Sequence, residues 1–132
     1  MRIVLDTNAL MMPVESGIRL FDELDRLLGP GAYEPVVPRA VVAELEELSG
    51  SHGTEATAAS VGRDLVDRCT TVETTAEYAD DAVIEVATGD PGAAYAVTND
   101  RPLRRRLLER NVPVICLRGR AKLGVTDPRA GS

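Results

Sequence analysis

The sequence predicts a single three-layer α/β/α domain with a five-stranded parallel sheet. Along the 132 residues, short apolar segments alternate with longer amphipathic ones, which is the pattern of strands alternating with helices. The first apolar segment, Ile3-Val4-Leu5, is continuous and β-branched at two of its three positions, as expected for a strand buried on both faces. No repeat or linker divides the chain, and its length suits one domain with one core.

The individual elements carry their own signals. The segment before Gly29-Pro30-Gly31 has apolar residues at helical spacing, and this turn sequence ends the helix. Pro38 suits the first turn of the next helix. The predicted strands are residues 3–5, 33–37, 70–74, 94–98 and 112–117. The predicted helices are residues 14–28, 39–48, 54–69, 80–88 and 101–110.

Residues 1–118 form the predicted domain, and residues 119–132 form a basic tail that we expect to be mobile. No apolar segment approaches the ~20 residues of a membrane-spanning helix. Asp6 falls where a signal peptide would be apolar, which argues against export. Cys69 and Cys116 lack disulfide or metal-binding spacing, so we interpret both as reduced core residues of a cytoplasmic protein.

Charge is unevenly distributed along the chain. The net charge is −6, but residues 101–122 hold eight basic side chains and one acid, which gives this segment +7 and leaves −13 for the remainder. A basic segment beside an acidic remainder indicates an anionic partner that contacts one face of the protein. The alternative is a solvated helix face without a partner.

Two aspartates follow predicted strands directly. Asp6 comes after the first strand, and Asp100 comes after the fourth. In open α/β sheets, ligands bind beyond the carboxyl ends of the strands where the strand order reverses, so neighbouring strands would bring these carboxylates together. Both residues are also good helix N-caps, and the two roles are compatible.

Further acids lie on helices. Glu44 borders the apolar stripe formed by Val41, Leu45 and Leu48, where a partly buried ligand would be placed, although an ordinary boundary glutamate has the same pattern. Asp80-Asp81 opens the fourth predicted helix. One of the two can cap the helix and the other can project from it, and periodicity does not distinguish them.

Taken in order, these motifs resemble those of the PIN-domain ribonucleases. The four motifs are Asp6-Thr7-Asn8, Glu44, Ala79-Asp80-Asp81-Ala82 and Thr98-Asn99-Asp100. The resemblance covers about residues 1–118. The segment from Val97 to Arg106, followed by Val112-Pro113-Val114-Ile115, is most similar to the branch that includes VapC-like proteins and archaeal rRNA-processing nucleases.

The resemblance implies a sheet order of 3-2-1-4-5 and a set of metal-binding acids. In the family pattern the third acid directly precedes Ala, which selects Asp81 here. The implied catalytic and metal-binding residues are Asp6, Glu44, Asp81 and Asp100, with Asn8, Thr98 and Asp80 in support. The resemblance also implies a homodimer.

Converging carboxylates suit a hard divalent cation, Mg²⁺ or Mn²⁺, and the hydrolysis of a phosphodiester. The single histidine, His52, lies in a Gly/Ser loop, and no Ser/His/Asp group is present. A receiver domain would need a lysine after its last strand, and a haloacid-dehalogenase-like phosphatase would need Asp where Asn8 stands. The basic residues expected to hold the RNA backbone are Arg101, Arg104, Arg105, Arg118 and Arg120.

The predicted function is therefore a metal-dependent endoribonuclease, either a VapC-type toxin held by an antitoxin or an rRNA-processing nuclease with a ribosomal or pre-ribosomal partner. The alternative is a non-catalytic metal- and RNA-binding module that acts through a protein partner. Aromatic residues make up only 3% of the chain, so we expect limited base stacking.

Overall fold

The fold is taken from a computed structural model, which describes residues 1–129. Within these residues, six α-helices surround a six-stranded sheet. The elements are β1 (Arg2–Leu5), α1 (Thr7–Glu15), α2 (Leu20–Leu28), β2 (Glu34–Pro38), α3 (Arg39–Ser49), α4 (Gly53–Leu65), β3 (Thr70–Val72), α5 (Ala79–Gly89), β4 (Ala93–Val97), α6 (Arg101–Glu109), β5 (Val114–Leu117) and β6 (Leu123–Thr126).

The strand order is β3-β2-β1-β4-β5-β6. The five parallel strands and their order 3-2-1-4-5 are as predicted, which confirms the α/β class. Ile3, Val4 and Leu5 of β1 are fully buried in the middle of the sheet, so helices cover both faces. None of the helices described is long and apolar enough to cross a membrane.

The predicted strand count is wrong by one, because β6 pairs antiparallel with β5. Residues 123–126 of the predicted mobile tail therefore belong to the sheet. Two charged side chains of α2 hold this strand: Glu23 accepts a hydrogen bond from the Leu123 amide at 2.9 Å, and Arg26 donates one to the Leu123 carbonyl at 2.8 Å. Residues 130–132, the end of the tail, lie outside the described residues.

The first predicted helix also needs correction. The sequence predicted one helix over residues 14–28, but the structure has two, α1 and α2, separated at Gly17. Gly17 has φ 64°, a left-handed conformation that interrupts a helix and favours glycine. Pro13 lies inside α1 and concealed it in the sequence, because proline normally disfavours a helix interior. Helix α1 starts directly after Asp6.

Helix α4 packs closely against α1. Gly62 of α4 makes this approach possible: a Cβ atom at this position would lie 2.9 Å from the carbonyl oxygen of Leu10 and 3.1 Å from a methyl group of Leu45. This packing fixes α1 beside α3, which also contacts α4. It therefore determines where the acids of α1 and α3 stand relative to each other.

Candidate active site

The register of the central strands brings two predicted site residues together. Leu5 of β1 is paired with Val97 of β4, and the Asp6 amide donates to the Val97 carbonyl at 3.3 Å. The next residues, Asp6 and Thr98, therefore leave the sheet side by side. The Thr98 hydroxyl donates a short hydrogen bond to Oδ2 of Asp6. Both residues are buried at the carboxyl edge of the sheet.

Asp6 is a buried carboxyl group in an environment that disfavours its charge. Its Oδ1 accepts a hydrogen bond from the Ala9 amide at 2.7 Å, so Asp6 is also the N-cap of α1. The pKa of Asp6 is raised to about 7, mainly by burial and to a smaller extent by the charges of Asp80 and Asp100. The hydrogen bonds from Thr98 and Ala9 act in the opposite direction and lower this pKa. A bound cation would relieve this cost.

Asn8 and Thr98 position the loop that carries Asp100. Oδ1 of Asn8 accepts from the Asn99 amide at 2.9 Å, and Oγ1 of Thr98 accepts from the Asp100 amide at 3.0 Å. Asp100 caps α6 through a hydrogen bond from the Leu103 amide at 3.0 Å. The predicted capping role is thus present, and Asp6 and Asp100 line the same cleft.

The structure separates the adjacent aspartates of α5. Asp80 lines the cleft with Asp6 and Asp100, and its pKa is raised by partial burial and by the charge of Asp100. Asp81 points elsewhere, since its Oδ1 accepts a hydrogen bond from Arg106 at 2.8 Å. Asp80 therefore lies in the cleft, whereas Asp81, which the family pattern selects, forms its ion pair outside the cleft wall. Sequence periodicity alone did not distinguish these neighbours.

Glu44 reaches the cleft from α3, as predicted. Two further acids in its wall, Glu15 at the end of α1 and Glu55 in the first turn of α4, were not identified from the sequence. Glu15 lies eight residues after Thr7, so a helix starting at Thr7 places both on one face. That signal was missed together with α1 itself.

The cleft has a volume of about 500 Å³, and among the described residues its wall contains six acids and no basic side chain. The acids lining it are Asp6, Glu15, Glu44, Glu55, Asp80 and Asp100. Helices α1, α5 and α6 all begin at this cleft, so their N-terminal dipoles also converge there. The cleft therefore combines carboxylate oxygens for a cation with helix ends that favour an anion.

The donor set fits a hard divalent cation. Within the part of the chain that the structure describes, no three acidic, histidine or cysteine side chains are spaced to hold an ion directly. Mg²⁺ retains several water molecules and is usually bound by one or two carboxylates together with substrate phosphates, so an open set of oxygens suits it. Asp6 and Asp100 are the acids closest to the sheet edge, and Asp80 raises the pKa of Asp6 by its charge.

The predicted RNA-binding arginines fall into two groups. Arg101, Arg104 and Arg105 line a groove of about 610 Å³ along α6. Arg118 instead donates to the Val125 carbonyl and to the Thr126 hydroxyl across the β5–β6 hairpin, at 3.1 and 2.6 Å. Arg120 is exposed near that hairpin. Because Arg101 follows Asp100 directly, the basic groove begins next to the acidic cleft.

Comparison with known proteins agrees with this fold. A family model described as "PIN like domain" matches residues 3–120. Ribonuclease VapC4 of Methanocaldococcus jannaschii is 32% identical over 120 residues, which cover 89% of this chain and 90% of the relative. The chain therefore belongs to the PIN-domain ribonuclease family.

Two solved structures resemble the fold. The PIN domain endonuclease Utp24 has a TM-score of 0.76 and 24% identity, with 96% of this chain and 91% of that chain covered. VapBC2 from Rickettsia felis, solved with a DNA fragment from its promoter, has a TM-score of 0.64 and 13% identity, with 89% of this chain and 100% of that chain covered. At these identities the likeness concerns the fold.

Proposed function

We propose that this protein is a metal-dependent endoribonuclease that hydrolyses RNA phosphodiester bonds. The observation that carries the proposal is the acidic cleft at the carboxyl edge of the sheet, where the described residues supply six acids and no basic side chain to the wall. The ribonuclease and endonuclease among the similar proteins support the same activity.

The proposed metal-binding residues are the cleft acids Asp6, Asp80, Asp100 and Glu44, which would hold the ion partly through its coordinated water molecules. The Thr98 hydroxyl donates a hydrogen bond that holds Asp6 in place, and the same oxygen accepts a hydrogen bond from the Asp100 amide. Asn8 fixes the same loop from α1. We therefore assign Thr98 and Asn8 to positioning, and Asp81 to an ion pair with Arg106 outside the site.

When bound, Mg²⁺ or Mn²⁺ lowers the pKa of a coordinated water and offsets the charge of the scissile phosphate. The chain itself contributes three further effects. The converging N-termini of α1, α5 and α6 favour the phosphate charge. The Thr98 hydrogen bond fixes the orientation of Asp6. The cleft acids are available to accept a proton from the attacking water.

The groove along α6 is proposed to hold the RNA backbone. Arg101, Arg104 and Arg105 line it, and it starts at the residue after Asp100. Contacts of arginine with phosphate add affinity and register without reading sequence. The negatively charged RNA would thus approach the acidic cleft along a positively charged surface. The attraction to this surface would offset the repulsion between the phosphates and the carboxylates of the cleft.

Two cellular roles are proposed for the nuclease. The 32% identity with Ribonuclease VapC4 supports a VapC-type toxin that is held by a small antitoxin. The sequence from Val97 to Arg106 supports the second candidate, an rRNA-processing nuclease. Co-purification of the natively expressed protein distinguishes them, because a small protein partner is expected for the first and ribosomal material for the second. Light scattering of the pure protein tests the expected homodimer.

The activity can be tested by mapping cleavage sites in total cellular RNA with the pure protein. We expect cleavage with Mg²⁺ or Mn²⁺, none with EDTA, and none with Asp6→Asn or Asp100→Asn. Asn caps helices as well as Asp does, so both variants should keep the starts of α1 and α6. Glu46→Gln is the control, because Glu46 lies on the same helix as Glu44 but forms a surface pair with Arg63. Wild-type protein that binds metal and RNA without cutting would favour the non-catalytic alternative.

A further inference from the structure

We propose that Tyr78 stacks on a base of the RNA beside the scissile phosphate and thereby contributes to RNA binding at the cleft. The inference rests on the proposed ribonuclease function and assigns one further RNA contact to the same site. It starts from an aromatic ring that the fold leaves unused at the edge of the acidic cleft.

Tyr78 differs from the other aromatic residues, which comprise one Phe and two further Tyr. Phe21 is buried, and the guanidinium of Arg68 lies 4.0 Å from the centre of its ring. The Tyr33 hydroxyl donates to Asp25 at 2.7 Å, and both Tyr33 and Tyr95 pack against the core. Tyr78, in contrast, is 76% exposed. Its ring is thus available to a ligand.

The backbone fixes where this ring stands. Tyr78 is the N-cap residue of α5, and its carbonyl accepts a hydrogen bond from the Ala82 amide at 2.9 Å. The side chain therefore projects from the start of a regular helix. Tyr78 lines the cleft and stands two residues before Asp80 in the chain. A base stacked on Tyr78 would therefore belong to a nucleotide whose phosphate lies close to the acids.

The wall of the cleft suits a base as well as a phosphate. Met11 and Leu48 line it together with Tyr78 and Ala79, so apolar surface adjoins the carboxylates. A volume of about 500 Å³ falls in the usual range for ligand sites. Aromatic side chains commonly bind unstacked bases of single-stranded RNA, and such stacking tolerates any base. A base within a duplex is already stacked on its neighbours and is not free to take this position.

The test measures single-turnover cleavage of one RNA in two forms, with the cleaved nucleotide unpaired or within a duplex. Wild-type protein should prefer the unpaired form. Tyr78→Ala should raise the half-saturating protein concentration for that form roughly 10-fold and change the maximal rate little, because stacking contributes mainly to binding. Tyr78→Phe should restore wild-type behaviour, and Tyr78→Leu should not. Melting curves check that the variants fold, as expected for a change at an exposed side chain.

An abasic nucleotide placed in turn on either side of the mapped cleavage site isolates the stacking contact. At one of these positions, loss of the base should weaken binding by the wild type but have little further effect on Tyr78→Ala. If the abasic nucleotide weakens binding equally in wild type and Tyr78→Ala at both positions, the inference is overturned. Equal half-saturating concentrations for wild type and Tyr78→Ala would overturn it too, and this is also the result expected if Tyr78 instead contacts a protein partner.

These outcomes remain separate from failure of the nuclease proposal. If the wild type binds RNA without cutting it, fluorescence anisotropy with the same labelled RNAs replaces the kinetics, and the same comparison of Tyr78→Ala with Tyr78→Phe decides. Equal affinities of these two variants for unpaired RNA would overturn the role of Tyr78, whatever the catalytic outcome. A weaker affinity of Tyr78→Ala alone would support it.

Discussion

At the scale of single residues, Asp6 connects stability to pH. Its pKa is raised from 3.8 to about 7 in the folded, metal-free protein, chiefly by burial. Between these values the folded chain binds a proton that the unfolded chain has released, so the free energy of unfolding falls as pH rises and levels off above pH 7. The loss is of the order of a few kcal/mol.

Urea unfolding in EDTA at pH 5 and pH 8 measures this effect. Asp90, Glu34 and Glu85 have pKa values lowered by their hydrogen bonds, so their contributions to stability are nearly complete at pH 5 and change little up to pH 8. Wild type should lose stability between the two pH values, and Asp6→Asn should lose much less. Equal changes in the two proteins would show that the Asp6 carboxyl carries no such strain.

The residues also show what the sequence could and could not predict. Asp6, Glu44 and Asp100 line one cleft, which strand ends and a helix stripe indicate from the sequence; their binding of a metal stays a prediction. The choice between Asp80 and Asp81 depended on Arg106, a residue of another helix that pairs with Asp81 at 2.8 Å. Periodicity within one helix contains no information about such a partner.

At the scale of secondary-structure elements, the contact of α1 with α4 fixes the cleft. We expect Gly62→Ala to lower the free energy of unfolding by about 1–3 kcal/mol, because its methyl group would lie 2.9 Å from the backbone oxygen of Leu10. Gly89→Ala, at the end of α5, is the control, since a Cβ there meets nothing within 4 Å. Thermal melting of both variants tests this. A Gly62→Ala protein as stable as Gly89→Ala would contradict the packing.

Helix α6 makes a separate prediction about charge. Replacing Arg104 and Arg105 together by Gln should weaken RNA binding. It should also make the RNA-binding constant less dependent on salt. On a plot of the logarithm of this constant against the logarithm of salt concentration, the slope should fall by roughly 0.7 for each lost contact between an arginine and a phosphate of single-stranded RNA. Replacing Arg39 and Arg63, which form surface ion pairs with Glu73 and Glu46, removes the same charge elsewhere. An affinity titration over several salt concentrations compares the two. If both pairs change the slope equally, only net charge matters.

The elements differ in how well the sequence predicted them. Strands β1, β2 and β4 each contain consecutive buried apolar residues and are predicted to within one or two residues. Helix α1 was missed because Pro13 interrupts its pattern, and β6 was missed because its four residues include Gly124 and depend on side chains of α2. In β6, tertiary contacts override a weak local preference.

At the scale of the whole molecule, gathering the acids in one cleft should couple metal binding to stability. Like charges held close together repel, and a divalent cation that binds only the folded chain adds stability by mass action, about 2.7 kcal/mol at a concentration of 100 Kd. We expect Mn²⁺ to raise the melting temperature of the wild type by several degrees more than NaCl of the same ionic strength. Asp6→Asn should melt higher than wild type in EDTA and respond less to Mn²⁺. Identical responses of the two proteins would argue against a shared site.

The cleavage rate of a labelled RNA as a function of Mn²⁺ tests the central claim, that the acids of the cleft perform metal-dependent hydrolysis. The comparison is between wild type, Asp80→Asn and Asp81→Asn, which remove the same charge from adjacent residues of α5. We expect wild type and Asp81→Asn to cut at similar, Mn²⁺-dependent rates. Asp80→Asn should be slower by about 100-fold, which corresponds to roughly 3 kcal/mol of transition-state stabilisation. Equal rates for all three proteins, a slow Asp81→Asn with a normal Asp80→Asn, or cleavage that persists in EDTA would contradict the account.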